Sequence, residues 1–342
     1  IDAEWIETMN TVMDDNKLLT LVSNERIPLT PPMRLLFEIA DLRNASPATV
    51  SRAGVIFVNE DDLGWQPFVN TWAETRSDES QKATLLQLVN KYVPKVLMAV
   101  LKNFKQTIPT MQINNVMTLC YLLDGLLGTD DNQKKGMTPE LLECYFVWSA
   151  VWAFGGNLLA DKSKDHRKAF SNWFVEEFKT VKFPGDGLVF DYQLDLQTGT
   201  FGEWEKEDYI HTPGAPIGTM FVSTAETARV SFLMDLLVKN HHYVMLVGTG
   251  GTGKTMMMQD KLRHLDEDFY ITSNMAMNSM TDSMSLQMIM AQNLEKKAGI
   301  VYGPSGNKTL IYFIDDLNMP VVDKYGTQEP IALLRLFVDH KM

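Results

Sequence analysis

The sequence predicts an α/β protein whose two mixed stretches are separated by an all-helical one. Three observations predict it. Short apolar runs of strand length alternate with helical patterns near both ends of the chain, at about residues 1–62 and 223–342. Residues 63–179 between them carry apolar positions at helical spacing and no comparable strand run. One apolar run, Tyr243 to Val247, passes directly into a glycine-rich loop and then a helix candidate.

Composition narrows the function classes. The 342 residues are 45% hydrophobic and 22% charged, a globular balance that excludes disorder and collagen-like repeats. Lys and Arg total 31 against 43 Asp and Glu, a net charge of -12, which excludes a broad basic face for nucleic acid but leaves room for a local cationic pocket. Cys120 and Cys144 are the two cysteines, too few for a disulfide framework, and a reducing compartment suits them. The chain opens without a basic or apolar leader and ends inside a helical pattern, so it reads as a segment of something longer.

In the first stretch, residues 1–16 read as a helix and a turn. Lys17 to Leu29 reads as two short strands around Ser23-Asn24-Glu25. Met33 to Ile39 and Val55 to Val58 are expected strands, with Ser46-Pro47 capping a short helix between them.

The helical stretch follows. Leu85, Leu88, Val89, Val96, Leu97, Val100 and Leu101 recur at helical spacing, and Pro94 is expected to end one helix and begin the next. Ile113 to Leu127 marks a further helix, and Thr138-Pro139-Glu140 starts another. Residues 144–160 carry no charge, yet this run is interrupted by Gly155, Gly156 and Asn157 and falls short of the roughly 20 residues of a spanning helix, so a buried helix is expected. Trp173, Phe174 and Phe178 mark the last helix. Residues 180–222, rich in Gly, Pro, Asp and aromatics, read as an irregular or β-like linker that Trp204 pins to a neighbour.

From residue 223 the α/β alternation resumes. Ser223 and Glu226 have capping-box spacing, and Asn240 stops the helix they open. The strand Tyr243 to Val247, a strand around Phe269 to Asn274, a helix from Thr281 to Lys297, the strand Leu310 to Ile314 and a last helix from about Pro330 complete the order. A mostly parallel sheet with helices on its faces follows from that alternation.

Chemistry concentrates in two places. Gly248-Thr249-Gly250-Gly251-Thr252-Gly253-Lys254-Thr255 fits G-x-x-x-x-G-K-[ST] completely, with the required strand before and helix after. Its glycines let backbone N–H groups turn inward toward phosphates, which the helix N-terminus also favours. Lys254 is placed to reach the β- and γ-phosphates of a nucleotide and Thr255 to coordinate Mg²⁺. Leu310 to Asp316 is a buried apolar run ending in two carboxylates. Asp315 is expected opposite Thr255, holding Mg²⁺ directly or through water, and Asp316 facing the attacking water. An Asp at 316 is one methylene shorter than a Glu, so slow hydrolysis is expected, and a helix-capping or solvated role is the alternative. Arg52, just before the run Val55 to Val58, reads on its own first as a surface salt-bridge residue, with the alternative that an Arg at a domain edge reaches a phosphate held by a neighbouring module.

Other chemistries find less support. His211, His241 and His242 make no metal-ligand spacing with the cysteines, and each cysteine lies in a helical pattern as a small apolar residue. Asn307-Lys308 lacks the Asp that a guanine-reading element needs, and no lid for a phosphoryl acceptor is evident. The many methionines read as core filler.

On these motifs the chain resembles the motor region of a dynein heavy chain of the axonemal, ciliary and flagellar type. MNTVMDDNKLLTL, NERI and ASPATVSRAGVIF are similar to the second AAA+ module downstream of its own phosphate-binding motifs. FKTVKFPGDGLVFDY is similar to the connection after that module's small helical domain, and TAETARVSFLMDLLVKN, GTGGTGKT, YFIDDLNMP and KYGTQEPIALLR to the large domain of the third module. The resemblance implies P-loop NTPase AAA+ large domains joined by an all-helical small domain. The implied boundaries are 1–62 for the end of the second large domain, 63–179 for its helical domain, 180–222 for the linker and 223–342 for the start of the third large domain.

It also implies ATP or ADP with Mg²⁺ as cofactors, held by Gly248 to Thr255 and Asp315, and a regulatory role for this site in a microtubule motor's cycle. Asp316 and Arg52 are the implied catalytic groups, Arg52 acting at the first module's ATPase site. A static nucleotide scaffold is the alternative, because Asp-Asp departs from the Asp-Glu of hydrolytic modules. Asn318 and Gln328 are given packing or loop-ordering roles. The implied partners are neighbouring AAA+ modules, other heavy, intermediate and light chains, and microtubules through a stalk outside this stretch. No nucleic acid and no membrane is implied, and the implied location is the axoneme.

Overall fold

The computed structural model describes residues 3–129, 134, 136–160, 163–185, 187–204, 214 and 220–340. His211 and most of the expected linker after Trp204 lie outside the described residues. The chain forms two compact units, Ile1–Gly64 and Trp65–Met342.

In the first unit, α1 (Ala3–Ile6), a 3₁₀ turn (Glu7–Met9) and α2 (Asn10–Met13) precede an antiparallel hairpin of β1 (Leu18–Thr20) and β2 (Arg26–Pro28). Asn24 turns it at φ +65°, a conformation that Asn tolerates well. Helix α3 (Pro47–Arg52) starts as expected: the Ser46 hydroxyl accepts from the Thr49 N–H, and Pro47 fills the first turn. The Thr49 hydroxyl donates to Asn10 at 3.1 Å and ties α3 to α2. A single turn, α4 (Glu60–Leu63), ends the unit.

Two expected strands differ. Met33 to Ile39 and Val55 to Val58 pair with no strand among the described residues, and Leu36 and Ile56 are 97% and 87% exposed. An apolar run supplies a strand's side chains, but only a neighbouring strand can satisfy its backbone.

The second unit begins with five helices: α5 (Gln66–Glu74), α6 (Glu79–Asn103), α7 (Gln112–Leu127), α8 (Pro139–Gly155) and α9 (His166–Glu177). The expected break at Pro94 is absent, and α6 runs through it. Pro94 removes one N–H, but both it and Asn90, whose carbonyl loses that bond, are exposed to water. Helix α8 is apolar nearly all round and sits at the centre, packed on α6 and α7. That accounts for the uncharged run at 144–160, and among the described residues no helix is long and apolar enough to cross a membrane. Thr138 caps α8 through the Leu141 N–H. Tyr92, Leu119, Tyr145, Phe146, Trp148, Phe170 and Phe174 are all essentially inaccessible in one continuous core. Cys120 lies within it, and burial pushes its thiol up to about 12, so it is a packing residue. Trp72 and Arg76 both reach the buried Asp124 carboxylate, whose charge is thereby matched inside the bundle.

After the bundle, β3 (Tyr192–Leu194) and β4 (Phe201–Glu203) form a small antiparallel hairpin. Trp204 is buried, donates to the Phe190 carbonyl at 3.1 Å and packs edge-on against Phe232, as its sequence position suggested. Phe232 belongs to α10 (Ala225–Lys239), which also packs along α7. The helix is capped by Thr224 with Thr227, one residue later than the expected Ser223 box: the Thr224 hydroxyl accepts from the Thr227 N–H at 3.2 Å and the Thr227 hydroxyl accepts from the Thr224 N–H at 2.8 Å.

The rest follows as α11 (Lys254–Arg263), β5 (Tyr270–Ala276), α12 (Ser283–Ala291), β6 (Leu294–Ala298), β7 (Val301–Pro304), β8 (Thr309–Asp315) and α13 (Glu329–His340). Strands β5 and β8 are parallel, in register from Tyr270 opposite Thr309 to Ala276 opposite Asp315. The expected helix Thr281 to Lys297 ends at Ala291 instead. Its tail is β6, folded against β7 around Gly299-Ile300, since a two-residue turn with Gly closes a hairpin more readily than a helix passes it. Tyr243 to Val247 runs into the glycine loop as expected but pairs with no strand among the described residues.

Candidate functional site

Gly248 to Thr255 forms a loop closed by the start of α11. Gly251 and Gly253 take φ +81° and +85°, which a side chain would strain, whereas the other loop glycines are not demanded by φ. Gly253 is the N-cap of α11, so the helix's unpaired N–H groups and its positive dipole end face the loop. The Lys254 ammonium donates to the loop's own carbonyls, Gly248 at 2.9 Å and Thr249 at 2.7 Å. Thr252 donates to the Thr249 carbonyl and tightens the turn.

Strand β8 delivers the second half of the site. The Thr255 hydroxyl donates to Asp315 Oδ2 at 2.8 Å, sixty positions apart in sequence. Asp315 is anchored from both sides: its carbonyl accepts from the Met277 N–H just after β5, and its Oδ1 accepts from the Asp316 N–H at 3.0 Å. Thr255 and Asp315 thus present two hard oxygens side by side. Adjacent ligands of an octahedral Mg²⁺ lie about 2.9 Å apart when each bond is about 2.05 Å. The pair therefore fits a Mg²⁺ bound at both atoms, or bound at Thr255 with Asp315 acting through water.

Asp316 stands exposed at the end of the strand with φ +52°. The left-handed backbone, unusual for a residue with a side chain, was not anticipated. Asp and Asn tolerate it best, which is a further reason for a short acid here. Beyond it, Met319 N–H closes a turn onto the Asp316 carbonyl, and the Gln328 amide donates to Pro320 at 2.6 Å and to Asn318 at 3.4 Å. Gln328 therefore straps the loop between β8 and α13, the ordering role its sequence position suggested. A small apolar cluster of Met275, Met277, Leu286 and Met290 backs β5, in line with methionine as core filler.

Arg52 belongs to the first unit. It ends α3, donates to the Ala48 carbonyl at 2.7 Å and lies 3.9 Å from Asp14. One contact near the loop gave no sequence signal. Lys261 of α11 pairs with Asp235 of α10 at 2.6 Å, which braces the helix that starts at the phosphate loop. No periodicity joins two residues on different helices.

Comparison with known proteins meets this geometry from two sides. Residues 209–342 match the family model of the P-loop containing dynein motor region. Residues 85–206 match that of the dynein heavy chain AAA lid domain. The ciliary dynein beta chain of Heliocidaris crassispina is 49% identical across all of this chain, which covers 8% of that protein. The beta chain of the flagellar outer arm of Chlamydomonas reinhardtii is 48% identical over 99% of this chain, again with 8% of its own length covered. Human dynein axonemal heavy chain 9 is likewise 48% identical over 99% of this chain and 8% of its own length.

Proposed function

The chain belongs to the dynein heavy chain family, and on that premise we propose that its Gly248–Thr255 loop binds ATP or ADP with Mg²⁺ and regulates a ciliary or flagellar microtubule motor. The observation that carries the reading is the meeting of Thr255 with Asp315 beside a glycine loop that opens a helix. Residues 1–62 are then the end of the second AAA+ large domain, 63–179 its helical domain, 180–222 the linker and 223–342 the start of the third large domain. The working location is the axoneme. The partners are neighbouring modules of the same heavy chain, other heavy, intermediate and light chains, and microtubules reached outside this stretch.

Each residue has a stated part. Backbone amides from Gly248 to Thr255 surround the phosphates, and the N-terminus of α11 adds its dipole. A β- or γ-phosphate oxygen competes with the Gly248 and Thr249 carbonyls for the Lys254 ammonium, so binding turns that side chain from its own loop to the ligand. Thr255 and Asp315 hold Mg²⁺, which neutralises phosphate charge when bound. Asp316 orients the attacking water. Arg52 serves the preceding module's ATPase site as an arginine finger.

A second reading, a nucleotide held as a static scaffold, has one observation in its favour. Asp316 is short, exposed and fixed in a left-handed backbone, a poor start for reaching a water molecule. The test is nucleotide occupancy and phosphate release in the intact heavy chain, comparing Lys254→Ala with Asp316→Asn. Lys254→Ala is expected to abolish occupancy at this site, and occupancy that persists rejects the assignment. Phosphate release that Asp316→Asn leaves unchanged decides for the scaffold. Arg52→Ala is expected to slow hydrolysis at the preceding module by as much as ~10³-fold while leaving occupancy at Lys254 intact. An unchanged rate there rejects the finger role.

A further inference from the structure

The phosphate loop is carried by a segment that little sheet supports. Tyr243 to Val247 has no regular secondary structure, pairs with no strand among the described residues, and leaves Met245 67% exposed. A loop that must bring several N–H groups onto one phosphate chain needs placing to about half an ångström. Helix α10 and the turn after it supply contacts that can do so.

Along α10, Leu236 comes so close to α7 that a Cβ added at Gly125 would stand 2.9 Å from the Leu236 carbonyl oxygen. The helix then stops sharply. The Asn240 amide donates to the Leu236 carbonyl at 3.0 Å, His241 turns at φ +57°, and the His242 N–H donates to the Leu237 carbonyl at 2.9 Å. This turn lays the His242 imidazole flat on the Tyr121 ring of α7, with centroids 3.8 Å apart and planes 16° apart. His242 immediately precedes the segment that leads to Gly248. On the far side, the Asp235–Lys261 pair ties α10 to the helix that leaves the loop. The loop is thus held at both its entrance and its exit by elements docked on the helical bundle.

We propose that the Tyr121–His242 stack is a positioning contact for the phosphate loop, through which the helical bundle sets the loop's affinity for a nucleoside polyphosphate. The inference rests on the nucleotide reading of Gly248–Thr255. Neither ring touches phosphate, so both residues act through the backbone between His242 and the loop. The contact is face to face, so any flat ring of similar size should serve, and the polar atoms should not matter.

The test measures binding of a fluorescent methylanthraniloyl-ADP with Mg²⁺ to the intact heavy chain, counting only the binding that Lys254→Ala removes. Tyr121→Ala is expected to weaken that binding by about three- to tenfold, the range of an aromatic pair's coupling. Tyr121→Phe and His242→Phe, which keep a stacked ring, are expected to bind like the parent. His242→Ala gives the same loss as Tyr121→Ala without touching the bundle core, which covers the case in which Tyr121→Ala disturbs folding. Parental affinity in His242→Ala overturns the inference, as does equal loss in Tyr121→Ala and Tyr121→Phe. If Lys254→Ala removes no binding, the nucleotide reading itself has failed, and that outcome is separate from the fate of the stack.

Discussion

The helical bundle and the phosphate-loop region of the same unit solve the burial problem differently. The bundle hides its largest side chains, with Tyr92, Trp148, Phe170 and Phe174 in one closed core. The loop region holds a parallel pair of strands and a small methionine-rich cluster, and leaves Tyr243, Met245 and Val247 facing outward. A helix bonds its own backbone, so a bundle needs only side-chain partners, and those lie nearby in sequence. A strand needs another strand, whose place the local sequence does not encode. Among the described residues of this unit the large closed core therefore lies in the bundle, and the phosphate loop is mounted beside it.

The largest expected effect tests that division of labour. Phe170 packs among Phe104, Trp173, Phe174 and Phe190 and is fully buried. Phe170→Ala should cost about 3–5 kcal/mol, whereas Met290→Ala in the small cluster should cost about 2 kcal/mol, at the low end for a core truncation. Hydrogen exchange read peptide by peptide separates the two. The first variant should raise exchange throughout α6 to α9, the second only around β5, α12 and β8. Equal and global effects from both would mean that the two regions share one cooperative core and would break the comparison.

The same contrast explains what was legible in the sequence. Gly248–Thr255 and Asp315 were legible because phosphate binding demands particular residue types at fixed spacing, and the structure brings Thr255 onto Asp315. The bundle was legible because helical periodicity is local, and the one misreading there, Pro94, turned on which way a single freed carbonyl faces. The sheet was less so. Met33 to Ile39, Val55 to Val58 and Tyr243 to Val247 have strand chemistry without a paired neighbour, and Lys296 and Lys297 prolonged a helical pattern into what is a hairpin. The left-handed Asp316 and the Tyr121–His242 stack depend on tertiary placement alone, which no spacing rule reads.

The smallest expected effect sharpens the comparison at the seam between the two regions. Burial, and after it the charge of neighbouring His241, holds the His242 imidazole below its ordinary value of 6.5. Tyr121 beneath it is pushed up, first by burial and then by Cys120, so its phenol stays neutral across the acidic range. The unfolded chain therefore takes up a proton as pH falls through 6.5 while the folded seam does not. Stability at the seam is complete above that point, declines as pH falls toward the lower folded value of His242, and then levels off. Amide protection of residues 236–243, corrected for intrinsic exchange, should fall as pH drops below about 6.5 in the parent. His242→Phe should flatten that slope, while protection inside α8 stays level in both. A slope of equal size in α8 would place the pH sensitivity in the bundle as a whole and remove the seam's special standing.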